Sequence, residues 1–269
     1  MGDPIRAWGG CSAGIEALAT SVERIGLSAY HTALDLNYRH ELYARPVSTA
    51  AGQIRTYELA ASHRADTLLR ALDASAGPGD VVYDIGAYAG EYALALTAQR
   101  PGRAVVAFEP NPIQRERFRL NRAATDPAGD ARLEPVGLGD ETTTRSFYRS
   151  SFPKLSSFER ADATRWGGRV VETHAVPIRR LDSFGELPPP DHIKVDVEGY
   201  GPEVLRGGRQ TIERHQPLLY LEAHDRDGTN RAEQMQTFCA DLSYTVVERD
   251  GVYICVPSNC DRAAVPFVP

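Results

Sequence analysis

The sequence predicts an α/β fold, a mostly parallel sheet with helices on both faces. Three observations predict it. From residue 80 onward, short apolar runs alternate with helical patterns, the arrangement of a parallel sheet covered on both sides. Glycines and acidic residues stand at the ends of several of these runs, where open α/β sheets bind ligands. Near residue 250, two β-rich runs are joined by Asp250-Gly251, a pair that tolerates the positive φ angles of a tight hairpin turn.

The elements follow in order. Ile15, Leu18, Ala19, Val22 and Ile25 recur at helical spacing, and so do Ala65, Leu68, Leu69 and Leu72 within a second helix expected over residues 57–74. Gly77-Pro78-Gly79 stops that helix. Residues 1–76 therefore read as a helical N-terminal extension and 77–269 as the main domain. Strands are expected at 81–85, 104–109, 132–136, 192–197 and 218–222. Helices are expected at 88–99 and 113–123, and Pro202 opens another. Residues 244–248 and 252–256 form the hairpin, which adds an antiparallel strand. Residues 143–190 carry Phe147, Tyr148, Phe152, Phe158 and Trp166. An insertion this long is either a lid over a site or a hairpin covering a sheet edge.

Composition narrows the function classes. The chain has 269 residues, 42% hydrophobic and 25% charged, as soluble globular domains do. No window holds the roughly 18 uninterrupted apolar residues of a membrane span. A net charge of −6 does not suit a nucleic-acid partner, whose binding needs a basic footprint. Arg115, Arg117, Arg119 and Arg122 read as a solvated helix face. Cys11, Cys239, Cys255 and Cys260 are too few for a disulfide framework and complete no zinc pattern. They read as reduced thiols in a cytoplasmic protein. Arg6 stands where a myristoylation site has Ser or Thr, and Glu16 spoils a secretory apolar region.

The first strand ends in Asp84-Ile85-Gly86-Ala87-Tyr88-Ala89-Gly90. Glycines there let the backbone approach a ligand, but the spacing is not the G-x-G-x-x-G dinucleotide fingerprint. Asp84 would repel a pyrophosphate and favour a cation. S-adenosylmethionine carries an α-ammonium and a sulfonium and no phosphate, so the spacing favours it over NAD, with Asp84, Gly86, Tyr88 and Gly90 at the site. Glu109 ends the second strand, 23 residues after Gly86. A carboxylate there can accept from both hydroxyls of a ribose, which suits either nucleoside cofactor. Pro110 and Asn111 follow, with Asn111 a cap for the next helix. Asp140, after Gly137-Leu138-Gly139, is a candidate acceptor for an adenine amine or a plain turn residue.

Lys194-Val195-Asp196-Val197-Glu198-Gly199 is the most unusual segment. Alternation puts Lys194, Asp196 and Glu198 on one face. Charges inside an apolar strand are costly unless paired or functional, so they read either as a buried ion pair or as a catalytic floor. Glu222 and His224 share a face at the end of the fifth strand. His224 titrates near neutral pH and is the candidate general base, with Asp196 and Glu198 as orienting groups and Lys194 keeping that carboxylate pair charged. Asp196, Glu222 and His224 are also candidate ligands for Mg²⁺ or Mn²⁺, although nothing in the spacing requires a metal.

Four segments in order, Val82-Tyr83-Asp84-Ile85-Gly86-Ala87, Phe108-Glu109-Pro110-Asn111, Ile193 to Gly199, and Leu221-Glu222-Ala223-His224, resemble the FkbM family of S-adenosylmethionine-dependent methyltransferases. Leu181-Asp182-Ser183-Phe184 fits as well. The resemblance covers about residues 78 to 225, and Lys-x-Asp-x-Glu-Gly is its most specific element. It implies a Rossmann-like class I methyltransferase fold, with a seven-stranded sheet whose last strand is antiparallel. It also implies O-methylation of a small molecule such as a natural product or sugar. Tyr88, Glu91 and the run Tyr200-Gly201-Pro202 depart from the family pattern and bear on the acceptor side. Two rival readings are a nicotinamide-dependent oxidoreductase and a non-catalytic nucleoside-binding protein. The missing fingerprint and Asp84 count against the first, and the charged cluster counts against the second. The expected partner is a small-molecule acceptor, with no nucleic acid and no membrane. The oligomeric state stays open, a homodimer included.

Overall fold

The computed structural model describes residues 29–60, 66–223 and 230–260. Seven strands form the main sheet: β3 (Val81–Ile85), β4 (Ala104–Phe108), β5 (Asp130–Glu134), β9 (His192–Asp196), β10 (Leu218–Glu222), β11 (Tyr244–Arg249) and β12 (Val252–Pro257). Their order is β11-β12-β10-β9-β3-β4-β5. All neighbours run parallel except β12, which is antiparallel to both β10 and β11. This is the Rossmann-like class I methyltransferase arrangement. Asp250 and Gly251 turn the hairpin with φ of 51° and 80°, as their residue types predict.

Alternation along the strands builds two cores. Tyr83, Ile85, Val106, Phe108, Val195 and Leu219 face one way. Val82, Val105, Ala107, Tyr220, Ile254 and Val256 face the other. The second face is covered by α2 (Thr67–Ser75), α3 (Glu91–Thr97) and α4 (Pro112–Thr125), through Leu68, Leu69, Leu72, Leu94 and Phe118. The first is covered by α6 (Gly201–Gly207), α7 (Arg209–His215) and α8 (Arg231–Asp241), together with a smaller sheet. That sheet has the order β6-β8-β7, from β6 (Gly137–Leu138), β7 (Thr143–Ser150) and β8 (Val170–Arg179). The short helix α5 (Arg160–Ala163) lies between β7 and β8.

Three expectations need correction. The first third is not wholly helical. Residues 29–39 are helical (α1), but β1 (Arg45–Ser48) and β2 (Gln53–Thr56) form an antiparallel hairpin. The second helix begins at Thr67, capped by Asp66, and residues 57–60 are not helical. The helical pattern at residues 15–25 lies outside the described residues. Arg117 is not on a solvated face. It is 4% exposed and reaches Asp35 at 2.5 Å and Glu58 at 3.4 Å, while its guanidinium stacks over Tyr38.

Asn121 ties this N-terminal segment to the domain. It is fully buried on α4. Its Oδ1 accepts from Thr56 Oγ1 and the Tyr57 N–H, and its Nδ2 donates to the Ala89 carbonyl and Tyr38 Oη. Asn121→Leu keeps the branched shape but strands several buried polar groups, each worth about 1–3 kcal/mol when unsatisfied. A stability loss of about 2–4 kcal/mol in urea unfolding is expected. A loss below about 1 kcal/mol would show that the network is not holding the segment.

Candidate functional site

Chain order explains where the site forms. From β3 the sheet grows one way through β4 and β5, and from β9 it grows the other way. A crevice opens at such a switch point, outside the carboxyl ends of the strands. Gly86 follows β3 with a φ of 82°, and a Cβ there would stand 2.0 Å from the Asp196 carbonyl oxygen. Glycine lets the ends of β3 and β9 meet. The chain then turns through Tyr88, which has a φ of 51°.

That turn aims one N–H group at Glu109, and the chain just after Glu109 aims a second. Tyr88 N–H donates to Oε2 at 2.9 Å and Asn111 N–H to Oε1 at 2.8 Å. Asn111 also caps α4 by accepting from the Ile113 N–H. Burial pushes the Glu109 carboxyl up to about 7, against the pull of the Asn111 and Tyr88 N–H groups and the charge of Lys194. Each carboxylate oxygen keeps a lone pair for a ligand hydroxyl.

Register brings the charged strand residues together. Lys194 lies opposite Asp84 on one side and Tyr220 on the other, and Asp196 lies opposite Glu222. Lys194 Nζ donates to Asp84 Oδ1 at 2.9 Å and to the Gly86 carbonyl at 3.1 Å, with Asp196 Oδ2 at 3.6 Å. Its ammonium also stands 4.8 Å over the Tyr92 ring. Burial works against the charge on Lys194, but Asp84, Asp196 and Glu222 outweigh it and hold its pKa above the ordinary lysine range.

These residues border a cavity of about 420 Å³. Among the described residues, its lining includes Asp66, Glu91, Glu109, Asp196, Glu198 and Glu222, against the single cation Lys194. Carboxylates gathered in a cleft create a potential that favours a cationic ligand. The segment between β7 and β8 contributes Pro153, Ser156, Ser157 and Phe158 to the wall, and β7 contributes Phe147. Ser157 Oγ donates to the Glu198 carbonyl at 3.0 Å, and Phe158 packs on Tyr200. The insertion is thus a β-hairpin that also walls the cavity. No described helix is long and apolar enough to cross a membrane.

The sequence model of the methyltransferase FkbM domain matches residues 84–246, more than half of the chain. The chain belongs to the FkbM methyltransferase family. It is 28% identical to the 31-O-demethyl-FK506 methyltransferase FkbM of Streptomyces tacrolimicus, over 56% of this chain and 68% of that protein. It is 27% identical to the 2-O-methyltransferase NoeI of Sinorhizobium fredii, over 56% of this chain and 65% of that protein. The aligned region therefore spans about two thirds of each relative. Among solved structures, methyltransferase FkbM from Methylobacillus flagellatus has a TM-score of 0.47 at 20% identity, covering 66% of this chain and 43% of that one.

In this FkbM methyltransferase, Gly86, Tyr88, Glu109, Pro110 and Asn111 line the cavity together with Lys194, Asp196, Glu198 and Glu222. Four expected roles change. Asp84 does not face the cavity. It is fully buried and holds Lys194. Gly90 does not line the cavity either. A Cβ there would strike the Phe118 ring at 2.4 Å, so Gly90 serves the close packing of α3 on α4. Asp140 lies outside the cavity because β6 leaves the main sheet to pair with β8. Gly139 then abuts Gly207, and Asp140 meets Arg206 at 3.3 Å. Lys194 does not hold Asp196 and Glu198 as a pair. Its nearest carboxylate is Asp84, while Glu198 meets Arg165 at 3.6 Å.

His224 lies outside the described residues. Among the described residues no group of three His, Cys, Asp or Glu is arranged to hold a metal. Asp66, Tyr92 and Gln114 also line the cavity and were not expected there, and Glu91, expected to bear on the acceptor side, lines it too. Tyr92 Oη donates to Asp66 Oδ1 at 2.6 Å. A signal existed for two of them. A helix starting directly after Gly90 places Glu91 and Tyr92 in its first turn, facing the strand ends.

Proposed function

We propose that this chain is an S-adenosylmethionine-dependent O-methyltransferase acting on a hydroxyl of a small molecule, such as a natural product or sugar. The observation that carries this reading is the carboxylate-rich cavity at the switch point, with Glu109 presented by two N–H groups. The chemistry of this lining fits the cofactor. A ribose needs a hydroxyl acceptor, which Glu109 offers, and the ammonium and sulfonium suit a cavity rich in carboxylates. O-methylation is supported by the names of the two relatives. Cys239 and Cys255 are buried free thiols.

When bound, the cofactor supplies a methyl group on a sulfonium leaving group. The chain itself must exclude water, orient the acceptor and take its proton. Lys194, neutralised by Asp84, fixes the Asp196 carboxylate at the strand end. An alcohol is a weak nucleophile until a positioned base removes its proton. We assign that role to His224, whose residue type has an intrinsic pKa of about 6.5. His224 would take the proton of the acceptor hydroxyl as its oxygen is methylated.

Calorimetry tests the cofactor. S-adenosylhomocysteine is expected to bind and NAD is not, and tight NAD binding would sink the reading. The pH dependence tests Glu109. Hydroxyl donors favour its ionised form, so S-adenosylhomocysteine affinity is expected to fall below about pH 7, approaching tenfold per pH unit. A flat dissociation constant from pH 5.5 to 8 would remove Glu109 from the site. Stability runs the other way. The folded chain holds the Glu109 proton more tightly than the unfolded chain does. This group's contribution is complete below its ordinary pKa of 4.5 and is lost as pH rises through about 7.

A further inference from the structure

A second chamber of about 480 Å³ adjoins the first. The two share Asn111, Gln114, Pro153 and Ser156 in their linings. Their charges are opposite. Among the described residues, the first chamber is lined by carboxylates around one lysine. Among the described residues, the second is lined by Arg117, Arg149 and Arg169, with Asp35 as its one carboxylate. Arg117 is committed to Asp35 and Glu58, and Arg149 meets Glu172 at 3.1 Å. Arg169 has no ion-pair partner among the described residues. Ser150, Ser151 and Ser156 add hydroxyls to the same wall.

The shared wall holds an unfilled acceptor. Gln114 is 3% exposed, and its Oε1 has no hydrogen-bond partner among the described residues. A buried polar atom without a partner is costly. Because Gln114 lines both chambers, a ligand donor crossing between them would satisfy it.

We propose that the second chamber binds the methyl acceptor through an anionic group, a carboxylate or phosphate, while its hydroxyl reaches the first chamber across the shared wall. This rests on the methyl-transfer reading above. Guanidinium groups match the planar, paired oxygens of carboxylate and phosphate. Segregated charge also sorts the two ligands. The carboxylates of the first chamber repel an acceptor anion, and the arginines of the second repel a sulfonium.

The test uses the full chain saturated with S-adenosylhomocysteine. Calorimetry at matched ionic strength compares glucuronate and glucose 6-phosphate with glucose, three probes that share a ring and differ in charge. At least one anion is expected to bind ten or more times tighter than glucose. The preference is expected to vanish in the double variant Arg149→Gln, Arg169→Gln. Arg169 is exposed and Arg149 half-buried, and unchanged S-adenosylhomocysteine affinity reports that the variant is folded. Which anion binds tighter assigns the group. Equal or undetectable binding of all three sugars overturns the proposal, as does an anion preference that survives in the double variant. Failure of the wild-type chain to bind S-adenosylhomocysteine would overturn the methyl-transfer reading along with it.

Discussion

Lys194→Met is expected to destabilise the fold by about 3–5 kcal/mol, the range for breaking a buried ion pair from one side. Lys194 is 2% exposed and Asp84 is fully buried. Removing the ammonium leaves the Asp84 carboxylate charged in the sheet, beside Asp196 and with no water to solvate it. The loss is a large part of the roughly 5–15 kcal/mol by which a domain is stable. The double variant Lys194→Met, Asp84→Leu is expected to regain much of it, because replacing both charges by apolar groups removes the desolvation cost as well. Urea unfolding of the wild type, both single variants and the double variant measures the coupling. A single-variant loss below about 1 kcal/mol would mean that water reaches Asp84.

His224→Ala is expected to lower kcat by about 10²–10⁴ while the dissociation constant of S-adenosylhomocysteine stays unchanged. The logic is one of division of labour. Cofactor contacts are assigned to Gly86, Tyr88, Glu109 and Asn111, whereas removal of the acceptor proton needs a base near working pH. The wild-type rate is expected to rise with pH through the histidine range, about 6.5, and the variant is expected to lose that limb. If His224→Ala keeps full turnover and Asp196→Asn loses it, Asp196 is the base and histidine has no part in proton removal.

The main sheet was legible because its strands are buried on both faces and read as continuous apolar runs, as at Val81-Val82-Tyr83 and Ala104-Val105-Val106. The Glu109 position was legible from its place at a strand end. Other features depend on partners that local sequence does not contain. Asp84 looked like a ligand group because its partner Lys194 is 110 residues away, and only register sets them side by side. Arg117 sits among arginines on a polar helix, and only the distant Asp35 and Glu58 bury it. The strands Arg45–Ser48 and Gln53–Thr56 are four residues each, too short for alternation to stand out. Asp140 follows a strand-like pattern, but the close contact of Gly139 with Gly207 sends it elsewhere.

The pairing of β3 with β9 has a further consequence, for the birth of the protein. Synthesis at about 5–20 residues per second leaves β3 waiting roughly 5–20 s for its central neighbour to leave the ribosome. During that interval β3, β4 and β5 can pair only among themselves, with one edge of β3 open and Asp84 still hydrated. The crevice cannot assemble early, because half of it has not been made. Folding must close a long loop before this contact rewards it, so the ligand site is among the last parts of the molecule to form. Until then the open edge of β3 is a point at which the nascent chain can pair with the wrong strand.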